Sequence, residues 1–201
     1  MAKGSLIALE GIDGSGTTTQ AERLVAHLEA QGRPAMRTAE PSSGPVGRLI
    51  RAALSDRSLV GDEALGVLFA ADRLDHLERE VLPALTRGLV VVTDRYLLSS
   101  LAYQGSYLPV DFVLALNARA RRPDASILLA VSPETAAGRR QRRGGPVERF
   151  DDLERQRQIA QRYDEASARG DVGPTYVVDA EAGLDVVERE LTVLVDRLLE
   201  G

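Results

Sequence analysis

The chain has 201 residues, of which 44% are hydrophobic and 27% charged, with a formal net charge of −5. This composition fits a folded protein and excludes an intrinsically disordered one, and no apolar run approaches the roughly 18 residues of a membrane span. The absence of cysteine excludes disulfides and cysteine nucleophiles, and the acidic balance argues against a nucleic-acid-coating protein. The N-terminal segment lacks the apolar stretch of a secretory signal, and the absence of cysteine makes a reducing cytoplasm the expected location.

Short apolar runs alternate with longer helical patterns along the chain. Strands are predicted at 5–10, 34–38, 89–93, 125–131 and 174–178, and helices at 18–31, 46–54, 62–85, 97–104, 109–120, 135–143, 150–169 and 184–199. Strands separated by helices indicate βαβ units and a parallel sheet. We therefore expect an α/β fold in which helices cover both faces of a five-stranded parallel sheet, as one domain over 1–201.

A glycine-rich segment, GIDGSGTT, connects the first predicted strand to the first helix. Such a loop curls so that backbone N–H groups and the helix N-terminus bind phosphate. Its residues are predicted to bind ATP: Gly11, Ile12, Asp13, Gly14, Ser15, Gly16, Thr17 and Thr18. The alternative is a glycine-rich turn without a ligand, but the spacing, the strand–helix context and the Thr18 hydroxyl favour phosphate binding.

One position departs from the phosphate-loop consensus GxxxxGK[ST], because Thr17 replaces the lysine. The only lysine in the chain, Lys3, lies at the opposite end of the first strand. Ligands of parallel sheets bind at the carboxyl ends of the strands, so Lys3 is at the wrong end. Any cation that acts on a phosphate here is therefore predicted to be an arginine.

Two further pairs carry candidate chemistry. Asp94 and Arg95 follow the most apolar strand, where an arginine can form two hydrogen bonds to a phosphate; the alternative is a salt bridge between elements. Phe69 and Arg73 are four residues apart and share one face of a predicted helix. Taken alone, the second pair indicates a core phenylalanine and a surface arginine.

Five arginines lie between 138 and 149, around a Gly-Gly-Pro break: Arg139, Arg140, Arg142, Arg143 and Arg149. A solvated helix end, a nucleic-acid patch and a mobile lid are the three interpretations. The net charge and the lack of interleaved aromatic residues disfavour the patch. A lid at about 138–150 fits best, since glycines supply hinges and arginines supply charge to a phosphoryl group in transfer.

The sequence resembles bacterial-type thymidylate kinases, a family of phosphate-loop nucleoside monophosphate kinases. The resemblance rests on LEGIDGSGTTTQ, AEPSSGPVGRLIRAAL, VLFAADR, TDRYLLSSLAYQG and RRGGPVERF, in that order along nearly the whole chain. It implies a homodimer that transfers a phosphoryl group from ATP to dTMP with Mg²⁺, with no nucleic-acid or membrane partner. The departure at Thr17 affects the phosphate grip rather than the family.

The resemblance also implies roles for individual residues. Thymine would stack on Phe69 and bond to Arg73 through O4, with Ser100 and Gln104 near its polar edge, while Tyr103 would pack on the sugar. Arg95, Arg51 and Asp13 would serve the acceptor phosphate region, and Thr18 and Asp94 the magnesium ion. Arg149 is the first candidate and Arg143 the second for the catalytic lid arginine, beside Arg95 and Asp13. The loop 179–182 would lie along the adenine.

Two alternatives to a dTMP kinase remain open from the residues. One is a kinase for another pyrimidine monophosphate, which Tyr103 and the Phe69/Arg73 pair disfavour. The other is a degenerate nucleotide-binding paralogue without activity, for which Thr17 is the only support. A lid would serve no purpose in a protein that only binds.

Overall fold

A computed structural model describes residues 4–144 and 152–200 of the chain. Its core is a five-stranded sheet in which every strand pairing is parallel. The strands are β1 (Leu6–Glu10), β2 (Ala35–Ala39), β3 (Val90–Asp94), β4 (Ala125–Ala130) and β5 (Thr175–Asp179). Their spatial order, β2-β3-β1-β4-β5, puts β1 and β3 side by side at the centre. The predicted parallel five-stranded α/β fold is confirmed.

Helices follow each strand and pack on the sheet. They are α1 (Thr17–Ala30), α2 (Pro45–Ser55), α3 (Asp62–His76), α4 (Leu82–Thr86), α5 (Leu97–Tyr103), α6 (Val110–Leu116), α7 (Pro133–Arg143), α8 (Leu153–Ser167) and α9 (Leu184–Glu200). Separate buried clusters lie on the two faces of the sheet, since Leu9 and Ile7 pack with α1 and α9 while Leu6 and Ala8 pack with the helical turns after α3. Fully buried β1 and β3 are typical of a parallel sheet covered on both sides.

Two helices differ from the pattern-based prediction. The single helix predicted over 62–85 is α3, a π-helical turn (Leu77–Val81) and α4, because Pro83 has no N–H to continue the ladder of hydrogen bonds. The helix predicted over 109–120 ends at Leu116, where the Asn117 side chain donates to the carbonyl oxygen of Val113 at 2.8 Å. None of the described helices is both long and apolar enough to cross a membrane.

Candidate active site

The glycine-rich loop lies between β1 and α1, as predicted. Gly14 and Gly16 have φ angles of 95° and 100°, a left-handed conformation that favours glycine. A Cβ on Gly14 would lie 2.5 Å from the carbonyl oxygen of Ala136, so the loop also packs tightly on α7. Residues 13–18 line a cavity of about 660 Å³ at the carboxyl end of the sheet, which we call the donor cavity.

The first two residues of the predicted phosphate loop do not line the donor cavity. Ile12 is buried in the apolar cluster around α5 and α8. The carbonyl oxygen of Gly11 accepts a hydrogen bond from Arg95 Nη1 at 2.6 Å. These two residues therefore anchor the loop to the protein interior, while residues 13–18 line the donor cavity.

Thr18 and Asp94 form a pair of hard oxygen donors at the edge of the donor cavity. The Thr18 hydroxyl donates to Asp94 Oδ2 at 2.5 Å. The other oxygen, Asp94 Oδ1, is buried without a hydrogen-bond partner among the described residues. A hydroxyl beside a carboxylate with an unused oxygen matches the ligand preference of Mg²⁺.

Asp13 and Arg95 stand where two cavities meet. Arg95 Nη2 donates to Asp13 Oδ1 at 2.5 Å, and Gln156 Nε2 donates to Asp13 Oδ2 at 3.2 Å. The Arg95 guanidinium also lies 5.0 Å from the centre of the Tyr103 ring. Both Asp13 and Arg95 line the donor cavity and a second, smaller cavity, so a group bound in either can reach them.

The second cavity, which we call the acceptor cavity, has a volume of about 130 Å³. Seven of the eight residues predicted for the acceptor nucleotide line it: Asp13, Phe69, Arg73, Arg95, Ser100, Tyr103 and Gln104. The eighth, Arg51, does not. Its guanidinium donates to the carbonyl oxygens of Pro41 and Ser42, each at 2.5 Å, so it holds the loop at the rim of the cavity.

Arg73 is not the surface residue that its spacing alone suggests. Its side chain is 2% exposed and pairs with Glu40, with an Nη2–Oε2 distance of 2.7 Å. The other N–H groups donate to Ser100 Oγ at 2.9 Å, to Asn117 Oδ1, to the Tyr96 carbonyl at 2.8 Å and, from Nε, to Glu40. All three guanidinium nitrogens thus donate within the protein, and the guanidinium forms part of the cavity wall.

Helix α7 brings arginines of the predicted lid onto the phosphate loop. Arg139 Nη2 donates to the carbonyl oxygens of Ala180 at 2.8 Å and Ala182 at 3.2 Å, which joins α7 to the loop after β5. Arg140 Nη1 donates to the carbonyl oxygen of Asp13, and its stem packs on Gly14. Both arginines and Arg142 line the donor cavity.

The two arginines that the sequence favoured for catalysis are not placed by the structure. Arg149 lies outside the described residues, and so does the side chain of Arg143. Residues 138–143 of the predicted lid belong to α7. In the loop predicted to lie along adenine, Glu181 and Ala182 line the donor cavity, and Glu181 Oε1 accepts from the Ser132 N–H at 2.5 Å.

Several residues at the site were not predicted from the sequence. Glu40, Asn117 and Gln156 contact Arg73 or Asp13 from distant segments. Tyr163 on α8 lies 3.1 Å from Arg95 Nη1 through its hydroxyl. Burial raises the pKa of Tyr163 above its usual value, so the hydroxyl stays protonated near neutral pH. Only Glu40 lay inside a motif, AEPSSGP, that the resemblance had marked.

A glycine-rich loop between β1 and α1, at the carboxyl end of a parallel sheet, together with an adjoining acceptor cavity, defines a phosphate-loop nucleoside monophosphate kinase fold. Comparison with known proteins then specifies the family. The family model for thymidylate kinase matches residues 9–191.

Individual relatives agree with this match. The chain is 39% identical to a probable thymidylate kinase of Pyrococcus abyssi, over 99% of each protein. It is 41% identical to a thymidylate kinase of Xanthomonas oryzae pv. oryzae, over 97% of this chain and 86% of the relative. The chain belongs to the thymidylate kinase family.

Proposed function

We propose that the protein transfers the γ-phosphoryl group of ATP to dTMP, giving ADP and dTDP. The observation that carries this proposal is that the donor and acceptor cavities meet at Asp13 and Arg95. A phosphoryl group can therefore pass from one nucleotide to the other without leaving the site. The thymidylate kinases among its relatives support dTMP as the acceptor.

In the donor cavity, the backbone of residues 13–18 would bind the phosphates of ATP, and the loop 179–182, of which Glu181 and Ala182 line the cavity, would lie along the adenine. Thr18 and Asp94 would hold Mg²⁺, with Asp94 acting directly or through water. The ion, when bound, neutralises charge on the β- and γ-phosphate oxygens. Thr18 and Asp94, through the ion that they would hold, would fix the position of the γ-phosphate of ATP.

In the acceptor cavity, Phe69 would stack on thymine and Tyr103 would pack against the deoxyribose. Arg95 would bind the 5′-phosphate through its two-pronged guanidinium, with Asp13 holding that guanidinium in place. An oxygen of this phosphate attacks the γ-phosphorus as the bond to the β–γ bridging oxygen breaks, and the electron pair leaves with ADP. Positioning and charge stabilisation account for catalysis, and no covalent intermediate with the protein is needed.

The charge that Thr17 cannot supply would come from helix α7. Arg140 contacts the Asp13 carbonyl and lines the donor cavity, which puts a guanidinium beside the phosphate loop. Arg149 and Arg143 remain proposed contributors from the lid at about 138–150, of which 138–143 form the end of α7. We assign the constant positive charge at the loop to Arg140.

A coupled assay of ADP release with ATP, Mg²⁺ and a panel of nucleoside monophosphates tests the function. dTMP should be far better than UMP or CMP, because a 2′-hydroxyl against the Tyr103 ring loses water without gaining a partner, at about 1–3 kcal/mol. Equal turnover of UMP and dTMP would reassign the acceptor. ATP and dTMP binding without turnover would identify an inactive paralogue.

The resemblance further leads us to propose a homodimer in the cytoplasm. Sedimentation velocity tests the oligomeric state, and a monomer at micromolar concentration would contradict it.

A further inference from the structure

Arg95 has an unusual backbone for an arginine. Its φ angle is 73°, in the left-handed region that residues with a Cβ rarely adopt. Both backbone groups are held: its N–H donates to the Leu9 carbonyl at 2.8 Å, and its carbonyl accepts from Thr93 Oγ1 at 2.9 Å. Such a conformation persists where surrounding contacts fix it. The position of this guanidinium is therefore built into the fold.

A buried carboxylate lies behind Arg95. Glu10, the last residue of β1, is fully buried. Its Oε1 accepts from the Leu98 N–H at 3.0 Å, and its Oε2 accepts from the Ser99 N–H at 3.1 Å and from the Ser99 hydroxyl at 2.5 Å. Glu10 thus holds the first turn of α5 and takes the only hydroxyl hydrogen of Ser99.

The position of the Ser99 hydrogen fixes which group donates in the hydrogen bonds that link Ser99, Tyr163 and Arg95. The Ser99 and Tyr163 hydroxyl oxygens are 2.6 Å apart. When Glu10 is ionised, the hydrogen of Ser99 points to Glu10, so Tyr163 is the donor to Ser99. The Tyr163 oxygen in turn accepts from Arg95 Nη1 at 3.1 Å, and the same nitrogen makes a longer contact of 3.4 Å to Ser99 Oγ. The donors therefore run in one direction, from Arg95 through Tyr163 and Ser99 to Glu10.

We propose that Glu10, Ser99 and Tyr163 are positioning residues that orient Arg95 for the acceptor phosphate. The inference rests on the proposed function, in which Arg95 binds that phosphate. A chain of hydrogen bonds that begins at a cation and ends at a carboxylate is polarised along its length, which strengthens each bond. It also connects α8, where Tyr163 lies, to β1 and α5. The acceptor site thus depends on a hydroxyl from a helix distant in sequence.

The experiment is calorimetric titration of dTMP and of ATP into the wild type and its variants, at a pH above the pKa of about 7 that burial gives Glu10, so that Glu10 is ionised. Tyr163→Phe keeps the ring in its apolar cluster and removes only the hydroxyl. The dissociation constant for dTMP should rise about ten-fold, the effect of losing one hydrogen bond to a charged group. Binding of ATP should change less than two-fold. Tyr176→Phe is the matched control, since it removes the same hydroxyl from a residue of β5 that lines neither cavity, and it should bind both nucleotides as the wild type does.

Ser99→Ala cuts the same chain at a second point. Its effect and that of Tyr163→Phe should not multiply in the double variant, since both remove one connected unit. Unchanged dTMP binding by Tyr163→Phe, multiplying effects, or equal loss of ATP and dTMP would each overturn the proposal.

Failure of the proposed function has a different signature. The wild type itself would then fail to bind or phosphorylate dTMP. In that case the chain of hydrogen bonds is tested by NMR of protein labelled with ¹⁵N-arginine. The Arg95 side-chain signal is identified as the one that is missing from the Arg95→Lys variant. Side-chain hydrogens of Arg95 should exchange with water more slowly in the wild type than in Tyr163→Phe. Equal exchange rates would reject the positioning role.

Discussion

The donor and acceptor cavities are adjacent but built in different ways. The donor cavity is formed largely by consecutive residues, 13–18, whose backbone makes the binding surface. The acceptor cavity is formed by side chains from separated segments, which include Glu40, Phe69, Arg95 and Tyr103. A backbone surface depends little on which side chain stands at one position, such as Thr17. A surface of interlocked side chains is sensitive to each of them.

The largest expected effect concerns the interlocked side chains of the acceptor cavity. Arg73→Met nearly keeps the volume but removes the arginine from buried Glu40, which then has only His76 Nδ1 at 3.2 Å as a partner for its charge. The free energy of unfolding should fall by about 3–5 kcal/mol, as for other broken buried ion pairs. Urea denaturation measures it.

Arg79→Met is the matched control for that change. Arg79 follows Arg73 along the same helical segment and forms an exposed pair with Asp75, so its replacement should leave the stability almost unchanged. Equal effects of the two substitutions would show that Arg73 is not a structural part of the cavity.

In the donor cavity, the charge rather than the backbone is the sensitive element. Arg140→Ala should lower kcat by about a hundred-fold or more, since arginines that stabilise a transferring phosphoryl group have effects of this size or larger. Thr17→Lys should partly rescue that variant and add little to the wild type, because both groups serve one phosphoryl. Steady-state kinetics of the wild type, the two single variants and the double variant test this.

Arg157→Ala serves as the control for Arg140, because Arg157 on α8 forms an exposed pair with Glu134 on α7. It should leave kcat unchanged. A Thr17→Lys variant with kcat raised by orders of magnitude would contradict the compensation and show that the loop lacks its cation.

Buried behind Arg95, Glu10 makes the stability of the protein depend on pH. Burial raises the pKa of Glu10 from 4.5 to about 7, against the opposing effects of Ser99, Arg95 and Arg73. The folded protein therefore holds a proton that the unfolded chain releases between pH 4.5 and pH 7. This contribution is fully present below pH 4.5 and is lost as pH rises to 7, and it is at most about 3 kcal/mol.

Urea denaturation of the wild type and Glu10→Gln across this range checks the sign. The difference in unfolding free energy between the wild type and Glu10→Gln should change by up to about 3 kcal/mol. Burial lowers the pKa of His76, but its interaction with Glu40 outweighs burial and the pKa is raised in the folded protein. His76 therefore also stabilises the protein less as pH rises. It is present in both proteins and cancels in the difference. A difference that does not vary with pH would show that Glu10 stays ionised throughout.

The smallest expected effect is confined to the base in the acceptor cavity. Phe69→Ala should weaken dTMP binding by about 1–3 kcal/mol, the usual value of stacking between a base and an aromatic ring. ATP binding should stay the same, because Phe69 does not line the donor cavity. Phe112→Ala, on the exposed side of α6, is the control and should affect neither nucleotide. Equal weakening of both nucleotides by Phe69→Ala would identify a core residue.

Much of the architecture and of the donor cavity was predictable because those features are local. Apolar runs located all five strands within one or two residues, and glycine spacing located the loop before α1. Asp94 and Arg95 were placed at the ligand edge because they end the most buried strand. Most of the predicted acceptor residues line one cavity, and their proposed roles are for the binding experiments to decide.

The sequence by itself therefore determined the βαβ order, the phosphate loop and the absence of a cation at Thr17, all of which depend on neighbours along the chain. Only the tertiary structure shows which described arginine of α7 contacts the phosphate loop, since α7 carries several and Arg140 is the one that donates to the Asp13 carbonyl. The tertiary structure also places the Arg73 guanidinium in the wall of the acceptor cavity, and it connects Arg95 to Glu10 through Tyr163 and Ser99. Such contacts join residues tens of positions apart, and a buried polar group is satisfied by whatever the fold brings within hydrogen-bond distance.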